Sequence, residues 1–284
     1  MKESITISAP AKINLALDVT GKREDGYHLL ETVFQSISIF DRLNISLTNE
    51  KGIKLTCNMP WIPCNEKNLA YKAAAAFMEK TGFDKGILIN LNKRIPSQAG
   101  MGGGSSDAAA VLKGMNKLSD NMLSDAELCE MSSSLGADVP FFIFGGTAYA
   151  EGIGEKLEIL PTLRGIHIVA AKGKGGISTP EAYRRIDALE SPVHPDTQSL
   201  RNAIKSGADR STLWQHCGNI FEEVTDLRDV SDIRSKMIKM GAEFACMSGS
   251  GSSVFGIFSD LQTAGKCRDV LARRYPFAVC CKTC

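Results

Sequence analysis

A chain of 284 residues with 43% hydrophobic and 23% charged residues carries enough apolar material for one large domain or two medium ones, and is neither disordered nor fibrous. Lys plus Arg number 33 against 32 for Asp plus Glu, and a formal net charge of +1 supplies no broad basic surface for nucleic acid or an anionic membrane. A small anionic ligand stays open, because a few cations and backbone N–H groups suffice to hold one phosphate group.

Along the first 19 residues Lys12 and Asn14 interrupt any apolar stretch, so no leader is expected. No run of about 18 apolar residues occurs to span a membrane. Strands are predicted over residues 4–7, 13–19 and 43–55, with the polar 22–26 ending in an Asp25-Gly26 turn signal. Residues 68–80 predict a helix with Leu69, Ala73, Ala76 and Phe77 on one face and Gly82 beyond its end. A strand over 86–93 is followed by a glycine-rich loop and an alanine-rich helix over 106–118. A helix over 125–135 stops at Gly136. Residues 141–150 form an apolar strand-like run broken at Gly145-Gly146, and 153–163 is taken as the crossover between domains 1–160 and 161–284. The second half predicts a strand over 165–171 and a helix over 179–189 with Pro180 in its first turn. A short helix over 233–240, strands over 244–247 and 254–258, and a last helix over 261–274 complete it. The fold class expected is α+β, in two domains, with mixed or antiparallel sheets. Nine cysteines, an odd number at irregular spacing, predict reduced thiols and a cytoplasmic protein. The Cys280-Cys281-Lys282-Thr283-Cys284 tail lacks a partner pair with zinc-ligand spacing and is read as structural.

The chemistry concentrates in Pro96-Ser97-Gln98-Ala99-Gly100-Met101-Gly102-Gly103-Gly104-Ser105-Ser106-Asp107, between a predicted strand and a predicted helix. Glycines reach positive φ cheaply, so successive N–H groups can turn inward as a cradle, and the following helix adds its N-terminal amides and positive dipole end. Ser105 and Ser106 add hydroxyls for a phosphate or for a water on Mg²⁺. A triphosphate is the natural occupant; the plainer alternative is a surface loop whose Ser or Asp caps a helix. G-x-x-x-x-G-K-[ST], G-x-G-x-x-G and H-R-D are all missing, which excludes a Walker loop, a dinucleotide-binding turn and a protein-kinase catalytic loop.

This loop resembles the ATP loop of the GHMP kinases, the superfamily of galactokinase and of homoserine, mevalonate and phosphomevalonate kinases. Ala9-Pro10-Ala11-Lys12-Ile13-Asn14-Leu15 looks like the superfamily's first motif, and residues 247–255, Met-Ser-Gly-Ser-Gly-Ser-Ser-Val-Phe, look like its third, in the expected order. Asp25-Gly26-Tyr27-His28 and Gly136-Ala137-Asp138-Val139-Pro140-Phe141-Phe142 are similar to segments of the branch that phosphorylates a cytidine-diphosphate-linked sugar alcohol. One departure is Ser97-Gln98-Ala99 before Gly100, where other members often have more glycine; it makes the first half of the loop less pliable.

The resemblance implies an N-terminal domain like ribosomal protein S5 domain 2, a ferredoxin-like C-terminal domain, and a site in the cleft between them. It implies ATP as donor, with Mg²⁺ carried by the nucleotide and no metal bound directly by side chains, Ser105 being the hydroxyl offered to it. The partner is a small molecule rather than nucleic acid or membrane, and the chain is expected to be a monomer or a weak homodimer. Catalytic roles fall on Asp138 as general base and Lys12 as the neighbouring cation. Lys93 and residues 96–106 bind ATP, while Asn14, Tyr27, His28, Asp138, Thr179, Tyr183, Gly249, Ser250 and Gly251 bind the acceptor. Tyr27 and Tyr183 would stack on the two faces of cytosine, with His28 at its edge. Each has a plainer reading: a turn cap for Asp138, solvated strand lysines for Lys12 and Lys93, packing for the tyrosines, a hairpin turn for 249–253. Two rival functions remain, another GHMP kinase with no use for the cytosine-stacking pair, and a non-catalytic nucleotide sensor on the same scaffold. Loss of Lys12 or Asp138 would mark the sensor, and both are present.

Overall fold

Alternating apolar positions make the strands of this protein, and capped amphipathic segments make its helices. The computed structural model describes residues 3–284; the first two residues of the N-terminal segment considered above lie outside them. In chain order the elements are β1 (Ser4–Lys22), β2 (His28–Thr48), β3 (Ile53–Cys57), α1 (Leu69–Thr81), β4 (Gly86–Asn92), α2 (Gly103–Leu118), α3 (Asp125–Leu135), α4 (Val139–Phe144), β5 (Thr147–Glu151), β6 (Lys156–Leu160) and β7 (His167–Lys172). There follow α5 (Thr179–Ile186), α6 (Thr197–Ser206), α7 (Arg210–Gln215), β8 (Gly218–Asn219), a 3₁₀ turn (Ile220–Glu223), α8 (Arg228–Lys239), β9 (Phe244–Met247), β10 (Ser253–Phe258), α9 (Leu261–Ala272) and β11 (Phe277–Lys282). The chain divides into two compact units, each discontinuous in sequence. One holds the residues up to 11 with 39–97 and 102–145; the other holds 12–38, 98–101 and 146–284.

In the first unit β4 runs parallel to β3 and antiparallel to the C-terminal half of β2, setting Ile89 beside both Leu55 and Ile45. Helix α2 packs on α1, α3 and α4. It carries Gly114 where a Cβ would stand 3.0 Å from Ile7 Cδ1 and crowd Ile45, so only glycine lets the helix come this close to the sheet. The caps that bound the helices are those legible in the chain. Asn68 Oδ1 accepts the Ala70 N–H at 2.9 Å, and Gly82 ends α1 with φ of 66°. Ser124 and Glu127 close a capping box on α3.

In the second unit β11, β7, β10 and β9 form an antiparallel sheet in that order, against which α8 and α9 pack. Val169, Val254, Phe258, Ile233, Met237 and Leu271 fill its core. Each fully buried side chain of this size contributes roughly 1.5–3 kcal/mol. The N-terminal half of β2 pairs with β5, β5 with β6, and β8 runs parallel to β1 at Ala16 and Leu17.

Several elements differ from expectation. The two strands foreseen at 4–7 and 13–19 are one, β1, and the strand foreseen over 43–55 is split by a turn between β2 and β3. The apolar run 141–150 is the end of α4 followed by β5, with Gly145 and Gly146 both at positive φ between them. The stretch 153–163 contains β6, hairpin partner of β5. Helix α2 opens at Gly103 rather than Ser106. Helices α6 and α7 and strand β11 had no counterpart in the pattern reading.

Candidate active site

Strand alternation puts Lys12 and Asn14 on one face of β1. Lys12, 4% exposed, donates from Nζ to Asn14 Oδ1 at 2.7 Å and lies 5.0 Å from the Phe34 ring centroid. It is not the solvated edge lysine of the plainer reading. Asn14 Nδ2 donates to Thr32 Oγ1 at 2.8 Å, which donates on to the Ala16 carbonyl at 2.6 Å, so the amide of Asn14 is fixed in orientation. The strand edge holds the loop as well. Lys12 N–H donates to the Met101 carbonyl at 3.0 Å, and Asn14 N–H to Ser248 Oγ at 3.3 Å. Ser248 Oγ donates to the Gly100 carbonyl at 2.9 Å, and Ser253 N–H to the Ala99 carbonyl at 3.3 Å. The stretch 98–101 is therefore hydrogen-bonded to the first motif on one side and to the third on the other. Asn219 Nδ2 braces the third motif through the Met247 and Gly249 carbonyls, at 2.8 Å each. Ser250 Oγ and Thr179 Oγ1 lie 2.9 Å apart, and Ser252 Oγ donates to the Gly175 carbonyl at 2.6 Å.

In the first unit α2 starts from Gly102, in the left-handed region with φ of 68°, with no side-chain cap and no acidic residue in its first turn. Its first amides thus keep their donors for a ligand, and the loop is not a capped surface turn. Ser106 Oγ, 1% exposed, has no protein partner. Such a cradle fits nucleotide phosphates. Asp138 occupies the N-cap position of α4, where its side chain accepts no hydrogen bond from the helix's first amides. Lys113 Nζ, donating to the Ile143 carbonyl at 3.0 Å, holds the other end of that helix.

Lys93 is 6% exposed, and its Nζ donates to Asp107 Oδ2 at 2.6 Å and to Asp41. Burial opposes the ammonium charge, but the two carboxylates outweigh it and raise the Lys93 pKa. Burial pushes the Asp107 carboxyl up to about 8 despite the Lys93 charge, with Asp41 adding to the rise. An acid whose pKa is higher folded than unfolded binds more protons when folded, so stability falls as pH climbs from the ordinary aspartate range to about 8. The groups facing Asp107 here are Lys93 on the strand side, Asp41 on β2, and more distantly Cys57. Asp107→Asn, neutral at every pH, should flatten that fall in thermal melts across roughly pH 4 to 8. A slope kept by the variant would place its source elsewhere.

The aromatic group lies in the second unit. His28 and Tyr183 stack with centroids 4.3 Å apart and planes 12° apart, and Phe221 meets Tyr183 edge-on at 5.1 Å. His28 Nε2 is 2.6 Å from Asp187 Oδ1. Hydrogen bonds from Lys22 and then His28 hold the Asp187 carboxyl below its usual range. Tyr27 is 60% exposed. The resemblance placed Tyr27 and Tyr183 on opposite faces of a bound cytosine; the Tyr183 ring packs against His28 and Phe221. Reasoning from the sequence also missed Thr32, Asn219 and Asp41, and gave no role to Asp107 at the end of the glycine-rich motif.

Residues 68–146 match the GHMP kinases N-terminal domain family and residues 218–276 the GHMP kinases C-terminal family. The chain is 45% identical over 264 residues to a 4-diphosphocytidyl-2-C-methyl-D-erythritol kinase of Acetivibrio thermocellus, covering 92% of this chain and 93% of that one. It is 44% identical over 274 residues to the kinase of that name from Lachnospira eligens, covering 96% and 95%. Among solved structures, a 4-(cytidine 5'-diphospho)-2C-methyl-D-erythritol kinase superposes with a TM-score of 0.83 at 32% identity, covering 98% of this chain and 99% of the other. A homoserine kinase from Cytophaga hutchinsonii shares the fold at a TM-score of 0.79 and 18% identity, over 100% and 95%.

Proposed function

This chain belongs to the 4-diphosphocytidyl-2-C-methyl-D-erythritol kinases, a branch of the GHMP kinases, and we propose how its own residues carry ATP-dependent phosphorylation of that compound's 2-hydroxyl, a step toward isoprenoid precursors by the non-mevalonate route. The observation that carries the assignment of roles is the hydrogen-bonded chain Lys12–Asn14–Ser248–Gly100, which links three motifs far apart in sequence. Amides of residues 96–106 and the start of α2 hold the ATP phosphates, with the Ser105 and Ser106 hydroxyls beside them. Mg²⁺ carried by the nucleotide would neutralise phosphate charge there, with the Ser105 hydroxyl as the side-chain group offered to it. Lys93, its ammonium taken by two carboxylates, serves the nucleotide through the loop it anchors.

Asp138 accepts the proton of the acceptor hydroxyl as its oxygen bonds to the γ-phosphorus and the bond to the ADP oxygen breaks. Lys12 balances charge on the transferring group, and Asn14, its amide already oriented, positions the acceptor. Tyr27 offers an open ring face to cytosine, His28 its edge, and Tyr183 sets the plane of the imidazole. Thr179, Gly249, Ser250 and Gly251 face the diphosphate. A division at residue 160 would keep each family match whole in one domain. Among the described residues no helix is long and apolar enough to cross a membrane. A cytoplasmic monomer or weak homodimer completes the proposal.

ADP release with Mg²⁺-ATP against the cytidyl compound, mevalonate, phosphomevalonate and homoserine tests the reading. Turnover confined to the cytidyl compound is expected, and turnover on another acceptor would overturn the cytosine assignment. No turnover with ATP still bound would favour a sensor. Tyr27→Ala should raise KM for the cytidyl substrate about 10-fold, the worth of one stacked base, with kcat little changed. An unchanged KM would remove Tyr27 from the site.

A further inference from the structure

We propose that Asp41, Lys93 and Asp107 form a buried clamp fixing the two stems of the glycine-rich loop, which makes Asp41 and Asp107 positioning residues for the nucleotide. The proposal rests on the kinase reading above. Lys93 directly follows β4 and stands three residues before the loop, and Asp107 lies in the second turn of α2, just after it. One ammonium joins both to Asp41 on β2. Asp41 Oδ1 also accepts the N–H groups of Arg94 and Ile95, the latter at 2.8 Å, so the first stem is held by main chain as well as side chain. Asn58 grips the same point, accepting the Lys93 N–H at 2.7 Å and donating to its carbonyl at 3.2 Å. The ammonium sits directly under the opening of α2, where a Cβ on Gly103 would lie 3.1 Å from Lys93 Nζ.

Asp41 is 0% and Asp107 2% exposed. Removing the Asp41–Lys93 ion pair and the Asp107 carboxyl from water costs so much that well-packed apolar residues are often as stable or better, so stability alone is a weak account of this trio. What it supplies is direction. Side-chain carboxyl groups on β2 and α2 fix one ammonium, and with it where the strand ends and where the helix begins. The amides between those points can cradle phosphate only if both ends stay put.

The test compares Asp107→Ala, Asp107→Asn and Asp41→Asn with the wild-type chain in steady-state kinetics, MgATP binding by calorimetry, and amide hydrogen exchange. Asp107→Ala should weaken MgATP binding and raise KM for ATP about 10-fold, while KM for the cytidyl acceptor moves less than about 2-fold. Asp107→Asn, which still accepts the Lys93 N–H, should recover most of the loss. Asp41→Asn, still an acceptor for the Arg94 and Ile95 amides, should fall between the two. Exchange should quicken within residues 94–106 and not in β7 or β10. Equal rises in both KM values with faster exchange throughout would reduce the trio to general stability and overturn the proposal, as would unchanged ATP affinity in Asp107→Ala. A wild-type chain that binds MgATP but does not phosphorylate the cytidyl compound would sink the kinase reading separately, and the calorimetry would still decide the clamp.

Discussion

Asp138→Asn is expected to lower kcat by about 10²–10⁴-fold while leaving MgATP affinity within about 2-fold of wild type. Asparagine keeps the size of the side chain and its hydrogen-bonding reach, but it cannot take a proton from an alcohol. Asp138 stands at the N-cap position of α4, but its side chain makes no capping hydrogen bond to the helix's first amides. That helix is held by other means: Pro140 in its first turn, the Val139 N–H on the Gly136 carbonyl at 3.1 Å, and Lys113 on its last carbonyls. Melting temperature is read alongside kcat, and a normal melt with lost turnover assigns the loss to chemistry rather than to folding. A catalytic defect without a folding defect is what separates a general base from a structural aspartate. If kcat falls less than about 3-fold, the proton leaves by another route and Asp138 is not the base.

How legible was this site in the chain? The motifs announced themselves because glycine and serine in dense runs have few uses other than turning backbone amides toward a ligand. Helices α1 and α3 were legible at both ends for a similar local reason, since Asn68, Gly82, Ser124 and Gly136 act on neighbours one to three residues away. Strand β1 was harder. The pattern reading left residues 8–12 between two strands, yet β1 runs straight through them, Pro10 included. Alternate amides of a strand point the same way, and those of Lys12 and Asn14 point at the loop and the third motif rather than into the sheet. Pro10, in phase with them, gives up a donor on that side and breaks no ladder bond.

The errors share a cause. The Val139–Phe144 run is almost wholly buried, and an all-apolar stretch has no period from which to tell strand from helix. Helix α6 did carry its signals, with Asp196 accepting the Ser199 N–H at 2.9 Å and Gly207 closing it, but they bracket a short, mostly polar segment whose buried stripe has only Leu200, Ala203 and Ile204 as apolar members. The buried trio around Lys93 could not have been found at all. Asp41 and Asp107 are ordinary acids in sequence, 66 residues apart, and only the pairing of β2 with β4 brings one ammonium to both. The stacking of Tyr183 on His28 is of the same kind, set by tertiary packing between residues 155 positions apart.

Gly100→Ala should cripple the use of ATP by a single added methyl group. Gly100 has φ of 70°, a region that costs an alanine roughly 1–2 kcal/mol. The added Cβ would also overlap the Ser248 carbonyl, main chain that cannot swing aside as a side-chain tip could. Gly249 approaches from the other direction, for a Cβ there would lie 3.0 Å from Gly100 Cα. Relief requires 98–101 to part from 248–249, which strains the Ser248 Oγ bond to the Gly100 carbonyl and the Lys12 N–H bond to Met101. Both strain and displacement fall on atoms proposed to hold phosphate, so kcat/KM for ATP should drop about 100-fold, close to 3 kcal/mol of lost transition-state stabilisation. Gly207→Ala is the matched control. It too sits at positive φ, 68°, but closes α6 with nothing within 4 Å of the added carbon. It should therefore lose the backbone strain alone, a few degrees in melting temperature, with kinetics unchanged. If the two variants melt alike and both keep wild-type kcat/KM, then close approach of the glycine loop to the third motif is not what holds the nucleotide, and the loop must be fixed by its stems alone.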